Sequence, residues 1–251
     1  MRIAITLGDP NGIGPEIAIK AAQHFAAGGR IKPLLVGDGF VIEETANRLG
    51  LDATPAFIDA PSLDPAGYAP GTLDPRAGKA TVAYAAAAVR LALDGKVDAV
   101  VGCPHSETAV NRAGIVFSGY PGLIADLTGT PREKSFMMLA ARDLRIVHAT
   151  LHESVGNALA RLRAKGIAID GPVGADLLLS QRKHDFYLAM FHDQGHIPIK
   201  LISPLRASAM TIGVPILFAS VAHGCAFDIA GQGIADATGV IETLEMLAGA
   251  A

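Results

Sequence analysis

Phe186-Tyr187-Leu188-Ala189-Met190-Phe191-His192-Asp193-Gln194-Gly195-His196-Ile197-Pro198-Ile199-Lys200 is the stretch from which the fold is read. Its apolar opening, 186–190, has the length and content of a buried strand. The run stops at a His, an Asp and a Gln, with Gly195 free to let the backbone turn. Polar side chains at the carboxyl end of a buried strand in an α/β protein sit where ligands bind. His192 can ligate a metal or move a proton, Asp193 can orient or ligate, and Lys200 can meet an anion. A plainer arrangement is open to the same residues, with His192 and His196 sharing one turn and satisfying local backbone groups.

The same strand-then-polar pattern recurs along the chain. Residues 2–7 form a buried first strand that runs into Gly8-Asp9-Pro10-Asn11-Gly12-Ile13-Gly14-Pro15-Glu16. Pro15 suits the first position of a helix, Glu16 its amino end, and Ile17, Ala21 and Phe25 its apolar stripe. Free N–H groups in such a loop could hold an anion. The glycine spacing is not the dinucleotide fingerprint GxGxxG, and a purely structural turn fits it as well. Strands follow at 33–36, 56–58 and 97–103, and helices at 41–49, 77–94 and 106–113. A Pro- and Gly-rich surface loop covers 61–75. Phe117-Ser118-Gly119-Tyr120-Pro121-Gly122 reads as a polar turn and a pocket wall. Adjacent strands at 136–140 and 144–150 share a tight turn, and the second leads to His152-Glu153. Helices are expected at 157–165, 175–181 and 238–247, and a strand over 211–220. Strand-helix alternation without an internal repeat implies α/β architecture, a mostly parallel sheet with helices on both faces.

Bulk composition narrows the function. Of 251 residues, half are hydrophobic and none is Trp; the formal net charge is -3. No basic run stands out, so the footprint of a nucleic-acid binder is missing. No segment is both apolar and long enough to span a bilayer. The two cysteines, Cys103 and Cys225, form no CxxC pair; reduced packing thiols in a cytoplasmic protein are expected.

Three polar clusters follow apolar strands: His152-Glu153, His192-Asp193, and His223 with Asp228. Two or three His ligands suit Zn, Mn, Co or Fe, although each cluster could also be structural. His24, His148 and His184 read as surface or packing residues. His105 with Glu107 follows a strand end and could touch substrate.

The motifs 8–16, Phe117-Ser118-Gly119, His192-Asp193-Gln194-Gly195 and His223-Gly224-Cys225-Ala226-Phe227-Asp228-Ile229-Ala230-Gly231 occur in one order over nearly the whole chain. In this the chain resembles the 4-hydroxythreonine-4-phosphate dehydrogenase family of vitamin B6 biosynthesis. Cys103-Pro104-His105, Ser118-Gly119-Tyr120-Pro121, Leu151-His152-Glu153-Ser154-Val155 and Gln181-Arg182-Lys183-His184-Asp185 resemble its terephthalate dihydrodiol dehydrogenase branch. The resemblance implies a two-lobed α/β fold like that of isocitrate and isopropylmalate dehydrogenases. One unit would span 1–251, with its lobes interleaved in sequence, in a homodimer. It also implies NAD, a divalent metal (Zn, Mn, Co or Mg), and oxidation of the secondary alcohol of a hydroxy acid with decarboxylation. Carried over by position, His152 and His192 match metal ligands. Lys200 matches a substrate-contacting lysine and, with Asp193, is the catalytic candidate. Tyr120 and His105 are substrate-binding candidates. His223, Gly224, Cys225, Ala226 and Asp228 would hold the adenosine half of NAD.

Two departures qualify the resemblance. Family members that contact a substrate phosphate have His-Thr where this chain has Tyr120-Pro121, Asn at Ala209 and Arg at Phe218. A buried dianion needs charged or N–H partners, so a flatter, more apolar carboxylate is the expected substrate. Second, a family segment carrying an Asn-Pro-His metal ligand is missing, and Val155-Gly156-Asn157 joins its flanks directly. Asp193, Glu153 and His196 are the candidates to replace that ligand. Two other readings stay open, an active vitamin B6 enzyme and a degenerate member that keeps only the fold or NAD binding.

Overall fold

A computed structural model of the chain describes residues 1–51, 54–148, 160, 163–164, 166, 184–204 and 206–249. The first strand, β1 (Arg2–Thr6), is buried over its last four residues and leads into α1 (Gly14–His24), which carries Pro in its first turn and Glu16 at its amino end. Next come β2 (Lys32–Gly37), α2 (Gly39–Arg48) and β3 (Phe57–Asp59). The long helix α3 (Pro75–Leu93) starts at Asp74, whose side chain accepts the Arg76 N–H and so caps the first turn. Then follow β4 (Ala99–Gly102), α4 (Glu107–Arg112), α5 (Tyr120–Thr128), β5 (Phe136–Ala141) and β6 (Leu144–His148). The last described elements are β7 (Tyr187–Ala189), α6 (His192–Ile202), β8 (Ser208–Ile212), β9 (Phe218–Val221) and α7 (Thr238–Gly249).

The strands form one sheet in the order β3-β2-β1-β4-β9-β8-β5-β6-β7. From β3 to β9 every pairing is parallel; β9-β8, β8-β5 and β5-β6 are antiparallel, and β7 returns parallel to β6. The α/β, mostly parallel expectation therefore holds, with an antiparallel insertion in one half. Alternate residues of β1 face opposite layers. Ile3 and Ile5 join Ile17, Leu35 and Leu244 in one buried cluster, while Ala4 joins Val100, Ala88, Ile124 and Phe218 in another. A third cluster, with Leu139, Ile146, Tyr187 and Ile199, lies under α6. Small residues bring helices close: a Cβ on Gly78 would sit 2.3 Å from the Ala109 carbonyl carbon, so α3 can meet α4 only because position 78 has none.

Three sequence expectations change. The segment after β7 is not a glycine turn but the helix α6. The Gln194 side chain reaches back to accept the N–H groups of Met190 and Phe191, at 3.1 and 3.0 Å. That cap starts a helix that Gly195 and Pro198 alone would disfavour. The polar turn at 117–122 opens into α5, with Gly119 at φ 101 just before it. The strand expected over 211–220 is two strands, β8 and β9, reversed through Gly213 at φ 87. The helices expected at 157–165 and 175–181, and the His152-Glu153 strand end, lie wholly or mostly outside the described residues.

One buried polar hub ties α2, α3 and the 61–75 loop together. Asp38 accepts the N–H groups of Ser62 and Leu63 at 2.9 and 3.0 Å and the Tyr84 hydroxyl on Oδ2. Tyr84 is fully buried, and burial beside that carboxylate raises its pKa. Tyr84→Phe should cost about 2 kcal/mol, the value of a hydrogen bond to a charged group. Urea unfolding at pH 7 reads this directly, and a change below about 0.5 kcal/mol would show that the hydroxyl carries little of the hub.

Candidate active site

β1, β2 and β3 step across the sheet in one direction, and β4 lies on the other side of β1. Chain connections therefore diverge above the carboxyl ends of β1 and β4, the place where open α/β sheets bind ligands. The 8–14 loop, Cys103-Pro104-His105 and the segment after β9 all meet there.

The 8–14 loop is a clasp. Its Asp9 N–H donates to Pro104 O (2.8 Å), Asn11 N–H to Asp9 Oδ1 (3.0 Å), Gly12 N–H to Asp9 O (3.0 Å) and Ile13 N–H to Cys225 O (2.9 Å). These donors are spent inside the protein, so the anion cradle considered for this loop does not form on them. Asn11 extends the clasp by donating to Gly67 O and Thr72 Oγ1 and accepting from Ala69 N–H. Glu16 accepts Lys20 Nζ, Gly233 N–H and Ala235 N–H, fixing α1 to the end of the 223–233 segment. Among the described residues, Asp9 Oδ2 and Thr6 Oγ1 are buried without a hydrogen-bonding partner. Burial, with a smaller push from Asp74, raises the Asp9 pKa to about 6 against the lowering effect of the Asn11 N–H.

Beside this clasp stands an aromatic wall. His105 packs edge-on against Phe117 and Tyr120, at ring-centre distances of 4.8 and 4.6 Å, and Tyr120 lies 5.1 Å from Phe218. Tyr120 and Phe218 are buried, and the Tyr120 hydroxyl donates to Cys103 O at 2.8 Å. Tyr120 thus presents a ring edge to His105 rather than a free hydroxyl. Burial pulls the His105 pKa down to about 4, leaving a neutral imidazole at the wall's edge. Cys103 and Cys225 are buried free thiols whose pKa values burial raises, in keeping with packing roles.

The 223–233 segment leaves β9 next to the clasp. His223 Nδ1 lies 3.2 Å from Gly224 O, Ala226 holds a left-handed backbone at φ 41, and the Gln232 amide closes a turn on Asp228 O at 2.7 Å. A Cβ on Gly224 would meet nothing within 4 Å, and Gly224 and Asp228 are exposed. The segment therefore offers an open strip of backbone beside an exposed carboxylate, a chemistry that suits a ribose.

Beyond it, α6 carries His192, Asp193, His196 and Lys200. Asp193 Oδ1 lies 3.0 Å from His192 Nδ1, and the rings of His192 and His196 are stacked at 3.5 Å. Lys200 is close enough to act electrostatically on both His196 and His223. His148, which the sequence reading assigned to packing or the surface, is buried at the end of β6, 5.1 Å from the His196 ring and 6.3 Å from that of His192. Its position was partly legible, since Leu144, Ile146 and His148 alternate inward along β6. Burial lowers the pKa of His148 and takes that of His196 to about 4. His152 lies outside the described residues. Among those described, no three His, Cys, Asp or Glu side chains converge as they stand on a point that would hold a metal. The donors present nevertheless fit one chemically, since three imidazoles are gathered and both ring nitrogens of buried His148 lack a partner.

Comparison with known proteins bears on this arrangement. The family described as pyridoxal phosphate biosynthetic protein PdxA matches residues 30–159 and 153–247. A 1,2-dihydroxy-3,5-cyclohexadiene-1,4-dicarboxylate dehydrogenase of Comamonas sp is 40% identical over 306 aligned positions, covering 98% of this chain and 96% of that protein. The alignment is longer than the 251-residue chain, so that relative carries a stretch this chain lacks; the two family matches divide near residues 153–159. The crystal structure of a terephthalate 1,2-cis-dihydrodioldehydrogenase from Burkholderia xenovorans LB400 superposes with TM-score 0.74 at 37% identity, over 100% of this chain and 98% of that one. A 4-hydroxythreonine-4-phosphate dehydrogenase from Klebsiella pneumoniae gives TM-score 0.80 at 28% identity, over 98% and 96%.

Proposed function

The chain belongs to the pyridoxal phosphate biosynthetic protein PdxA family, and we propose that it is the member that oxidises a cyclic dihydrodiol carboxylate, such as a terephthalate dihydrodiol, with loss of carbon dioxide. It is a dehydrogenase by kinship, since its relatives are named dehydrogenases over nearly their full length. The aromatic wall carries the choice of substrate. The buried rings of Phe117, Tyr120 and Phe218 stand as an apolar backing behind the partly exposed, neutral imidazole of His105, and the Tyr120 hydroxyl is already committed. A flat cyclic diene fits such a wall; a phosphate dianion would lose its hydration there without charged partners.

The residue roles follow the placement. His223, the backbone of Gly224 to Ala226, and Asp228 hold the adenosine half of NAD, with Asp228 accepting from a ribose hydroxyl. His105 forms the substrate-side edge, and Tyr120 acts by setting the position of that ring. Lys200, close enough to act electrostatically on both His196 and His223, meets the substrate carboxylate and can pass a proton at the reacting carbon. Asp193 holds His192 in the tautomer that leaves Nε2 available. A bound divalent metal, with His192 and His152 among its ligands, would supply acidity to the substrate hydroxyl and charge stabilisation during decarboxylation, and NAD would supply the hydride acceptor. We place the protein in a cytoplasmic homodimer of two-lobed subunits.

The test is NADH formation by the purified protein with terephthalate dihydrodiol and with 4-hydroxythreonine phosphate, each with and without Mn, Co or Zn. Metal-dependent turnover of the dihydrodiol alone is the expected result. Turnover of the phosphate alone would move the chain to the vitamin B6 reaction. Silence with both, from folded protein that binds NAD, would mark a degenerate member.

A further inference from the structure

We propose that His148, His192 and His196 form a transition-metal site of this chain's own, in which His148 and His196 are ligands alongside His192. His192 and His196 stand four residues apart on α6, so they share one helix face, the spacing at which two imidazoles chelate one ion. Each has its Nδ1 turned to an acceptor, Asp193 Oδ1 at 3.0 Å for His192 and the His192 carbonyl at 3.1 Å for His196. An acceptor at Nδ1 places the proton there and leaves Nε2 with its lone pair free. Beneath them, His148 faces the same turn of helix: a Cβ at Gly195 would lie 2.4 Å from His148 Nε2. Glycine at 195 is what allows that ring to approach the helix backbone so closely.

Among the described residues, neither nitrogen of His148 has a hydrogen-bonding partner, although the ring is buried to 3% exposure. Backbone carbonyls of Met137 and His192 lie near it but outside hydrogen-bonding geometry. A buried imidazole with nothing on either nitrogen is costly, and nearly all such groups in proteins are satisfied. A Lewis acid shared with two neighbouring imidazoles would satisfy it. As they stand, the rings of His192 and His196 are stacked with planes 16° apart, which sets their lone pairs side by side. Convergence requires the two to splay, and the His192 side chain, 52% exposed, has the room to swing. Three nitrogen donors select Zn, Co or Ni over Mg or Ca, which prefer oxygen. The inference deepens the proposed metal dependence and rests on that reading for the use of the metal in turnover, not for its binding.

Binding is tested without NAD or substrate. The full chain, stripped with a chelator, is titrated with Co(II) and followed by its visible absorption, then with Zn(II) in competition. One cobalt per chain with the intense bands of a nitrogen-ligated, low-coordinate ion is expected. His196→Leu and His148→Phe should each weaken binding by roughly 100-fold or more, at or beyond the upper end of the loss seen when a supporting residue is removed. Should His148→Phe fail to fold, partly exposed His196 still decides the matter. Wild-type affinity and spectrum in folded His196→Leu, or no cobalt bound by the wild type, would overturn the proposal. Because the readout is spectroscopic, a protein that binds cobalt through these residues but turns over neither substrate sinks the proposed function and leaves this site standing.

Discussion

Gly8→Ala should cost about 4 kcal/mol of folding stability, a large part of the total for a domain of this kind. Two separate penalties add at this position. Gly8 has φ 66, a left-handed backbone that costs an L residue about 1–2 kcal/mol. The second penalty is steric. A Cβ there would lie 2.2 Å from Pro104 O and 2.7 Å from both the carbonyl carbon and oxygen of Cys103. All three are backbone atoms, so no rotamer change relieves the overlap. The 8–14 loop must move off β4, which breaks the Asp9 N–H to Pro104 O bond and loosens the neighbouring contact of Ile13 with Cys225. A control separates the two terms. Gly28 also has a left-handed backbone, φ 90, but a Cβ there would meet nothing within 4 Å. Gly28→Ala should therefore cost only the dihedral part, about 1–2 kcal/mol. Urea unfolding of both variants beside the parent is the measurement. Equal losses would mean that the clasp yields without cost and that only backbone strain matters at Gly8.

That clasp also shows what a sequence can and cannot reveal. β1, β2, β4 and the helices between them were legible because each is a buried run or an apolar stripe followed by a turn signal, and Pro15 and Glu16 marked the start of α1. The loop of three glycines was legible as a shaped turn, but not its purpose. Where its N–H groups point depends on Pro104 and Cys225, which are far away in the chain. Helix α6 was hidden for a similar reason. Gly195 and Pro198 speak against a helix locally, while the features that favour it are the Gln194 cap and the fit of Gly195 against His148, a contact across 47 residues. The hairpin of β8 and β9 was read as one strand because its residues are apolar on both sides of Gly213, whose Cβ would lie 1.9 Å from Lys134 O. His192, Lys200 and the 223–233 segment could be singled out from their residues. The grouping of His148 with His192 and His196 could not, because it arises only when β6 and β7 pair and α6 folds back over them.

Asp9→Asn should stabilise the protein above pH 6, by about 2 kcal/mol at pH 7.5, and should change little near pH 4. Asp9 is fully buried, one carboxyl oxygen accepts the Asn11 N–H, and the other has no partner. Burial therefore favours the neutral acid and lifts the folded-state pKa to about 6, from 3.8 when the chain is unfolded. The sign follows from proton binding. Between those two values the folded protein holds a proton that the unfolded chain has released, so stability falls as pH rises. The favourable contribution is complete below about pH 3.8, is lost as pH rises through about 6, and stays lost above it. A gap of roughly two pKa units corresponds to about 3 kcal/mol. Asparagine keeps an acceptor for Asn11 and cannot ionise, but its amide N–H groups enter a buried position where Asp9 Oδ2 meets no hydrogen-bonding partner among the described residues, which trims the gain. Unfolding free energies of parent and variant at half-unit steps from pH 4 to 8 give the difference curve directly. A curve that rises between about pH 4 and 6, with its midpoint near 5, and is flat at more alkaline pH is the expected shape. A variant less stable than the parent at pH 7.5 would mean that the Asp9 carboxylate is stabilised as an ion, and the clasp would then have to be re-read as a site built to hold a negative charge.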